Sequence, residues 1–303
     1  MGEISDALRR SRNERSEQAQ GRSAARGLPA PEDLSGRVEQ RPSSPRHEPD
    51  LARPLAAEST DARPLSLGRD REGEWRARAV VVDGGSPSTE CFRQLALRVR
   101  AELEHRSLRS VAITGPLRGE GKTTVACDLA LALASVSRGR EVALVDLDLR
   151  RPSVATDFRI PVEVGVEEFL QGTRGLLEVC VSIEKPAVDV FPAASPHASA
   201  HELLIEPGFA SLVRELERRY ATVIFDTPPV LLVPDTSLIL DRVSSFIAVA
   251  RSGQTRERLL QSMLELLPRD RFLGTVLNLG PLPTHSRQYG YYSGDSASPA
   301  GEE

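Results

Sequence analysis

The 303-residue sequence predicts an α/β fold over residues 79–282, in which a mostly parallel β-sheet is flanked by helices. Short apolar runs alternate along the chain with longer amphipathic ones, as in a sheet whose strands are joined by helices. Each short run is rich in β-branched residues and apolar at successive positions, which is typical of strands covered on both faces. A glycine-rich turn joins the first run to an alanine-rich helix, which is a third indication of this fold class.

The strands and helices follow from these patterns in chain order. The six predicted strands are 110–115, 141–148, 187–194, 221–229, 245–253 and 274–280. The three principal predicted helices are 121–139, 207–220 and 255–270. Open sheets of this kind bind ligands beyond the carboxyl ends of their strands. We therefore expect the chemistry in the loops that follow residues 114, 146, 226 and 278.

The two ends of the chain have a different composition. Residues 1–78 are rich in Arg, Ser, Pro, Glu and Gly and lack the apolar surface needed to offset the entropy of ordering, so they are predicted to be a largely disordered arm. Within the arm, Ile4, Ala7 and Leu8 share one face of a potential short helix over 4–12, although an isolated fraying turn is equally consistent with the pattern. Residues 283–303 are predicted to be a flexible tail.

Charge and hydropathy exclude several classes of function. The net charge is −4 with both signs mixed, so no broad basic surface indicates a nucleic-acid partner. No apolar run approaches the roughly 20 residues of a membrane span, so direct membrane insertion is not expected. The three cysteines are far apart and lack metal-ligand spacing, as in reduced cytosolic thiols. The sequence therefore predicts a cytoplasmic protein that reaches a membrane only through a partner.

The turn after the first strand has the features of a phosphate-binding loop. It reads GPLRGEGKTT, and Gly119 and Gly121 allow successive backbone N–H groups to point at an anion. Lys122 would place a positive charge beside the phosphates, and the Thr123 hydroxyl is suited to Mg²⁺. Glu120 and Thr124 belong to the same nucleotide-binding loop, and the dipole of the following helix adds to its affinity for anions.

Acidic residues end two of the predicted strands. Asp146 and Asp148 follow the run VALV, and Asp226 ends the run VIF. A buried strand that ends in a carboxylate requires a cation or a hydrogen-bond donor. With Thr123, these carboxylates would suit Mg²⁺ bound to a nucleotide, since that ion prefers oxygen ligands. For Asp148 the alternative is a structural role, in which it caps a turn or pairs with Arg150.

The order of these motifs resembles that of the bacterial tyrosine kinases, the tyrosine autokinases of exopolysaccharide and capsule loci. In that family GPLRGEGKTT, VALVDLDLRRP and VIFDTPPV, with Asp235 downstream, correspond to the Walker A, Walker A′ and Walker B motifs. The resemblance covers residues 80–292. It implies a P-loop NTPase fold of the MinD/ParA-like superfamily and a kinase domain over 79–282.

The resemblance also implies roles for individual residues. Lys122 and Thr123 would bind the phosphates and Mg²⁺ of ATP, and Asp146 would orient or deprotonate an incoming tyrosine hydroxyl. Asp148 and Asp226 would act on the metal, and Asn278 in the segment LNLG would lie near the adenine. The C-terminal tyrosine cluster of the family is the phosphoacceptor, presented in trans to a neighbouring subunit. Here that cluster consists of Tyr289, Tyr291 and Tyr292.

The partners implied by the resemblance are a membrane-spanning polysaccharide co-polymerase that activates the kinase, further copies of the chain, and a tyrosine phosphatase. The implied location is the cytoplasm, at the periphery of the inner membrane. The family's assembly motif, Glu-x-x-Arg-x-x-Arg, is represented by Glu90 and Arg93, whereas Ala96 stands at its last position. Arg98 and Arg100 are nearby basic residues.

Two alternatives remain open at the level of sequence. A partitioning or positioning ATPase of the same superfamily would carry a lysine where this chain has Leu117, followed by Arg118. A non-catalytic ATP-binding adaptor of a polysaccharide co-polymerase would bind nucleotide without phosphorylating tyrosine. The departure at Ala96 favours the adaptor, and the complete set of carboxylates favours the kinase.

Overall fold

Eight strands form one sheet in the computed structural model, which describes residues 65–66, 87–137 and 141–280. The strands are β1 (Leu65–Ser66), β2 (Ser110–Thr114), β3 (Val142–Asp146), β4 (Val181–Ile183), β5 (Val188–Phe191), β6 (Thr222–Asp226), β7 (Ser245–Arg251) and β8 (Phe272–Asn278). Their order across the sheet is β1-β4-β5-β3-β6-β2-β7-β8. Neighbouring strands are parallel except for β4 and β5.

Helices connect the strands and pack on both faces of the sheet. They are α1 (Pro87–Arg106), α2 (Lys122–Val136), α3 (Val154–Asp157), α4 (Val166–Leu170), α5 (Ala200–Ile205), α6 (Pro207–Arg219), α7 (Asp235–Leu240) and α8 (Glu257–Leu266). A 3₁₀ turn over Arg269–Arg271 leads into β8. One apolar core contains residues of α1 and α2, and the other contains residues of α4, α6 and α7.

Strand β6 shows why the central strands are apolar at every position. Val223 and Phe225 face one core, whereas Ile224 between them faces the other. Successive side chains of a strand point to opposite faces, so a strand covered on both sides must be apolar throughout. The Ala-Leu repeat of α2 is buried because that helix packs against both the sheet and α1.

The mostly parallel sheet flanked by helices is the predicted architecture, and it is confirmed. All six predicted strands and three principal helices are present, with differences mainly at their ends. The predicted strand 141–148 ends at Asp146, because the chain turns at Asp148, whose N–H bonds to the Asp146 carboxylate and whose carbonyl accepts from the Arg151 N–H. The register of β3 and β6 places Asp146, the last residue of β3, directly opposite Asp226.

Helix α1 is the largest element for which the sequence analysis gave no assignment. Its buried apolar positions are Ala96, Val99 and Leu103, a narrow stripe within a 20-residue helix that carries seven charged side chains. Leu65–Ser66, within the segment predicted to be an arm, pairs in parallel with β4. The short helix over 4–12 and the tyrosine-containing tail lie outside the described residues. Within the described ranges, no helix combines the length and hydropathy that a membrane crossing requires.

Candidate active site

The loop between β2 and α2 has the backbone conformation of an anion-binding turn. Gly119 and Gly121 adopt positive φ angles of 78° and 87°, which residues with a Cβ seldom adopt. A Cβ at Gly121 would also overlap the Asn278 side-chain amide. Helix α2 begins at the next residue, so its unpaired N–H groups and positive dipole end face this loop.

Lys122 is largely buried at the start of α2, with only 8% of its surface exposed. Its ammonium donates a hydrogen bond of 3.0 Å to the Leu117 carbonyl on the opposite side of the loop. Burial lowers the pKa of Lys122, and the nearby carboxylates of Asp226 and Glu120 act in the opposite direction. The ammonium therefore lies inside the loop, where a phosphate would gain from its charge.

Asp226 is fully buried at the carboxyl end of β6. Neither carboxylate oxygen meets a hydrogen-bond donor at bonding geometry among the described residues, although the Thr123 hydroxyl lies near enough to lower its pKa. Burial outweighs that effect and the charge of Lys122, and it raises the pKa of Asp226 to about 7. A buried carboxylate without a partner is costly, so this position suits a cation.

Asp146 lies beside Asp226 at the end of the neighbouring strand and is also fully buried. Its Oδ2 accepts hydrogen bonds from the N–H groups of Ser153 and Val154, at 2.9 and 3.0 Å, and its Oδ1 accepts from the N–H of Asp148 at 3.2 Å. Burial, followed by the charge of Asp226, raises the pKa of Asp146 well above its ordinary value. The carboxylate is thus rigidly held and has a raised affinity for a proton.

Asp148 and Thr123 stand around the same space. The Asp148 Oδ1 accepts a hydrogen bond of 3.2 Å from the N–H of Arg151, so the carboxylate does cap a turn. Burial also raises the pKa of Asp148, and the charge of Lys122 lowers it. The Thr123 hydroxyl shares a hydrogen bond of 2.8 Å with the Ser153 hydroxyl, whereas Thr124 is exposed on the first turn of α2.

The remaining predicted nucleotide-binding residues, Glu120 and Asn278, stabilise the phosphate loop through hydrogen bonds. The Glu120 side chain is buried, and its carboxylate accepts hydrogen bonds from the Leu117 N–H and the Thr255 hydroxyl, at 3.0 and 2.9 Å. The Asn278 amide donates a bond of 2.9 Å to the Glu120 carbonyl. Asn278 therefore lies at the phosphate loop itself. Whether it also approaches an adenine stays a prediction.

Several residues of the site were not found from the sequence. Arg251, the last residue of β7, donates a bond of 3.0 Å to the Gly119 carbonyl, and Thr255 in the loop after β7 donates to the Glu120 carboxylate. Ser153 holds both Thr123 and Asp146. Polar residues at such loop positions have no spacing signal of their own. They could have been predicted from their position at or after the carboxyl ends of strands, where this kind of sheet binds its ligands.

The donor set fits Mg²⁺ bound to a nucleotide rather than a metal held by the protein alone. In the part of the chain that the structure describes, no three His, Cys, Asp or Glu side chains cluster closely enough to hold a metal ion. Mg²⁺ usually keeps several waters and takes one or two carboxylates together with phosphate oxygens. The unpartnered oxygens of Asp226 match that requirement, with Thr123 and Asp148 nearby.

Comparison with known proteins identifies the family of the domain. Residues 111–281 match the family model for the CobQ/CobB/MinD/ParA nucleotide binding domain. The chain is 31% identical over 231 residues to the tyrosine-protein kinase YwqD of Bacillus subtilis, an alignment that spans 75% of this chain and 96% of that protein. It is 30% identical over 233 residues to the putative tyrosine-protein kinase EpsB of Ralstonia nicotianae, but spans only 30% of that longer protein.

A solved structure gives the same result for the fold. The kinase domain of VpsO superposes with a TM-score of 0.56 at 31% identity, covering 63% of this chain and 97% of that domain. The phosphate loop, the paired carboxylates and the similarity over almost the whole of YwqD point to one activity, protein-tyrosine kinase. The chain belongs to the bacterial tyrosine kinases, within the CobQ/CobB/MinD/ParA class of nucleotide-binding domains.

Proposed function

We propose that this chain is an ATP- and Mg²⁺-dependent tyrosine autokinase that phosphorylates Tyr289, Tyr291 and Tyr292 on a neighbouring copy of itself. Its activity would regulate exopolysaccharide or capsule production through a membrane-spanning co-polymerase. The observation that carries the proposal is the buried Asp226 carboxylate, which lacks a hydrogen-bond partner in the described part of the chain and lies close to Lys122 and Thr123. That combination is suited to a metal-bound triphosphate.

Each residue of the site has a place in phosphoryl transfer. The loop N–H groups and Lys122 would bind the phosphates, and Asp226, Thr123 and Asp148 would hold Mg²⁺. When bound, Mg²⁺·ATP supplies the transferable phosphoryl group and the positive charge that neutralises it. Asp146 would orient the tyrosine hydroxyl and accept its proton. Its raised pKa favours proton acceptance, and its three backbone hydrogen bonds fix its position.

Tyr220, the one tyrosine among the described residues, is a poor candidate for the residue that accepts the phosphoryl group. Tyr220 has 5% of its surface exposed, and its hydroxyl donates a hydrogen bond of 2.9 Å to Asp189. The chain has four tyrosines, so the other three, all between residues 289 and 292, are the candidates that remain. Each phosphate would add about −1.5 to −2 charges to this short segment. Such a change could separate neighbouring chains and reset the assembly, with a tyrosine phosphatase reversing it.

Helix α1 bears on how copies assemble. Glu90 and Arg93 form an exposed ion pair, with Arg93 Nη1 2.5 Å from Glu90 Oε2, so part of the assembly motif is available to a partner. Ala96 at the third position is fully buried, and Arg100 donates a hydrogen bond to the Val136 carbonyl. Of the nearby basic residues, Arg98 is exposed. Assembly through α1 would therefore use Arg93 and Arg98.

The activity is tested by incubating the full chain with ATP and Mg²⁺, with and without the cytoplasmic segment of its co-polymerase, and mapping phosphate by mass spectrometry. Phosphotyrosine at 289, 291 or 292 that disappears in Lys122→Met and in Asp146→Ala supports the proposal. Tyr220→Phe is the matched control and should leave the phosphorylation pattern unchanged. ATP binding without phosphotyrosine under any condition would favour the adaptor. ATP turnover stimulated by DNA or lipid would favour a partitioning ATPase.

Transfer between chains is tested by mixing two variants. One carries Lys122→Met with an intact tail, and the other has an intact site with Tyr289, Tyr291 and Tyr292 all changed to Phe. Neither can phosphorylate its own tail, so phosphate on the tail of the Lys122→Met chain must come from the other chain. Absence of phosphate in the mixture, alongside phosphorylation of the parent chain alone, would show that transfer occurs within a chain.

A further inference from the structure

Strand β8 is an edge of the sheet whose outer side pairs with none of the described residues. On its inner side it runs parallel to β7 from Phe272 to Asn278. Its residues are half-buried or exposed, in contrast to the fully buried central strands. Alternate residues along an edge strand present unpaired N–H and C=O groups, which readily accept another strand.

A groove lies beside this edge, beneath α1. It has a volume of about 680 Å³, and its lining includes Leu95 and Val99 of α1, Ile247 of β7, and Leu273 and Val276 of β8. Arg98, Glu102 and His105 of α1 also line the groove. Apolar side chains would gain by covering its aliphatic part. One apolar strand could occupy this place. Its backbone would pair with the outer side of β8, and its apolar side chains would contact the groove beneath α1.

We propose that residues 79–83 of this chain, AVVVD, form a ninth strand that pairs in parallel with β8 and fills this groove. The segment contains three consecutive valines, which favour extended structure. It precedes α1 by three residues, Gly84, Gly85 and Ser86. Four Cα steps from Asp83 to Pro87 span up to roughly 14 Å. That exceeds the about 10 Å separating packed layers of secondary structure, so the connection can be made.

The direction of the added strand follows from α1. The last residue of α1, Arg106, donates a hydrogen bond of 3.2 Å to the Asp270 carbonyl, just before β8 begins. Strand β2 also begins four residues after the helix ends. Helix α1 therefore ends at the amino edge of the sheet and begins at the carboxyl edge. A strand leading into it must end at the carboxyl edge, as parallel strands do.

The handedness of the connection agrees with that position. Helices α1 and α2 pack into the same core, on the same face of the sheet. Helix α2 joins β2 to β3, which lies on the side of β2 away from β8. A connection from a strand outside β8 through α1 to β2 would cross the same face of the sheet, in the same direction as the connection from β2 through α2 to β3. Both connections therefore have the same hand, as the strong preference for right-handed crossovers requires.

This inference concerns an interaction surface, and it does not depend on the proposed kinase activity. If the chain's own segment closes this edge, copies of the chain cannot assemble by pairing β8 with β8. The outer face of α1, with Glu90 and Arg93, remains available for assembly. The occupant is a segment of the same chain, and occupation by a second copy is an outcome that the experiment distinguishes.

Cysteine crosslinking of the full chain in a Cys91→Ser background tests the pairing. We expect a short bismaleimide to link Ala79→Cys to Leu273→Cys and Asp83→Cys to Leu277→Cys within one chain. The swapped pair, Ala79→Cys with Leu277→Cys, is the control and should react slowly, because four residues of strand span about 13 Å. Preferential reaction of the swapped pair, reaction of neither expected pair, or links formed only between chains would overturn the proposal.

Hydrogen exchange provides a second readout. Of two consecutive strand residues, one directs its N–H toward β8, so at least one of Val80→Pro and Val81→Pro removes a bond to this edge. We expect that variant to lower amide protection in β8 by about tenfold or more, with protection in β3 unchanged. Ala57→Pro, in the predicted arm, is the control and should have no effect. Equal β8 protection in the parent chain and both variants would contradict a ninth strand.

Discussion

Arg150 binds Asp235 through two hydrogen bonds, 2.7 Å from Nε to Oδ2 and 3.1 Å from Nη2 to Oδ1. Arg150 follows β3, and Asp235 is the first residue of α7, which follows β6. The pair therefore joins the two segments that carry Asp146 and Asp226. Arg150 also donates a bond of 2.9 Å to the Ala198 carbonyl, which extends the connection to the loop after β5.

Removing this pair should destabilise the fold. The Asp235 side chain is 1% exposed and that of Arg150 is 27% exposed, so Asp235→Ala leaves a partly buried guanidinium without its carboxylate. We expect the free energy of unfolding to fall by about 2 to 3 kcal/mol, since breaking a buried pair is costly although water still reaches Arg150. Urea denaturation measures this change.

The exposed pair of Arg174 and Glu178 provides the comparison. These residues are separated by 3.2 Å between Nη1 and Oε1, and both are substantially exposed. Glu178→Ala should therefore lower the free energy of unfolding much less than Asp235→Ala does. Equal losses in Asp235→Ala and Glu178→Ala would show that the Arg150–Asp235 pair has no special structural role.

The stability of the nucleotide-free protein should depend on the ionisation of Asp226. Burial raises its pKa from 3.8 to about 7, so the folded state holds a proton that the unfolded state releases. This group therefore favours folding most at pH values below its unfolded pKa, and that contribution is lost as the pH rises through the folded pKa. The free energy of unfolding should therefore decrease as the pH is raised from about 4 to about 7.

Asp226→Asn should remove that part of the pH dependence. We compare the free energy of unfolding of the variant with that of the parent chain at each pH. This difference should be more favourable to the variant at pH 8 than at pH 4, by on the order of 2 to 4 kcal/mol, since one pKa unit corresponds to about 1.4 kcal/mol. Asp146, whose pKa is also raised, should leave a residual slope in the same direction. Chemical denaturation across this pH range measures both slopes, and identical slopes would contradict a raised pKa at Asp226.

The sequence was sufficient to predict the sheet and the residues at its carboxyl edge. Lys122, Asp146 and Asp226 could be found because each lies where a buried strand or a glycine-rich turn ends, and few residue types are tolerated there. The structure brings these three together around the phosphate loop. For Asp148 the sequence left a metal ligand and a turn cap open, and the cap is observed.

Long-range partners could not be predicted in the same way. The contact between Glu120 and Thr255 joins residues 135 positions apart, and the contact between Arg150 and Asp235 joins residues 85 positions apart. Such pairs depend on which strands become neighbours, and local periodicity does not determine that order. Helix α1 was missed for a different reason. Its buried stripe is only one residue wide per turn, and charged residues around it hide the period.

The hydroxyl of Thr255 should support nucleotide binding from behind the loop. It donates to Glu120 Oε1 at 2.9 Å and accepts from the Arg251 N–H at 2.8 Å, so Thr255→Val leaves two buried or half-buried groups without a partner. We expect affinity for a non-hydrolysable ATP analogue to fall about three- to tenfold, because the loop loses a support worth roughly 1 kcal/mol.

Isothermal titration calorimetry measures that affinity, and Thr255→Ser is the matched control because it keeps the hydroxyl. Parental affinity in Thr255→Ser with reduced affinity in Thr255→Val would confirm the role of the hydroxyl. Parental affinity in both would show that the loop is positioned without this bond.

Restoring the assembly motif by Ala96→Arg should unfold the protein rather than strengthen its assembly. Ala96 is fully buried in the apolar core that contains residues of α1 and α2, so a guanidinium at this position would lose its hydration. We expect a loss of at least about 3 kcal/mol in the free energy of unfolding, since an unpaired buried charge is among the most destabilising substitutions. Leu97→Arg, at a neighbouring position that is 44% exposed, should change stability by no more than about 0.5 kcal/mol. Thermal unfolding with sedimentation velocity measures both properties, and a stable Ala96→Arg protein with increased assembly would place residue 96 on the outer face of α1.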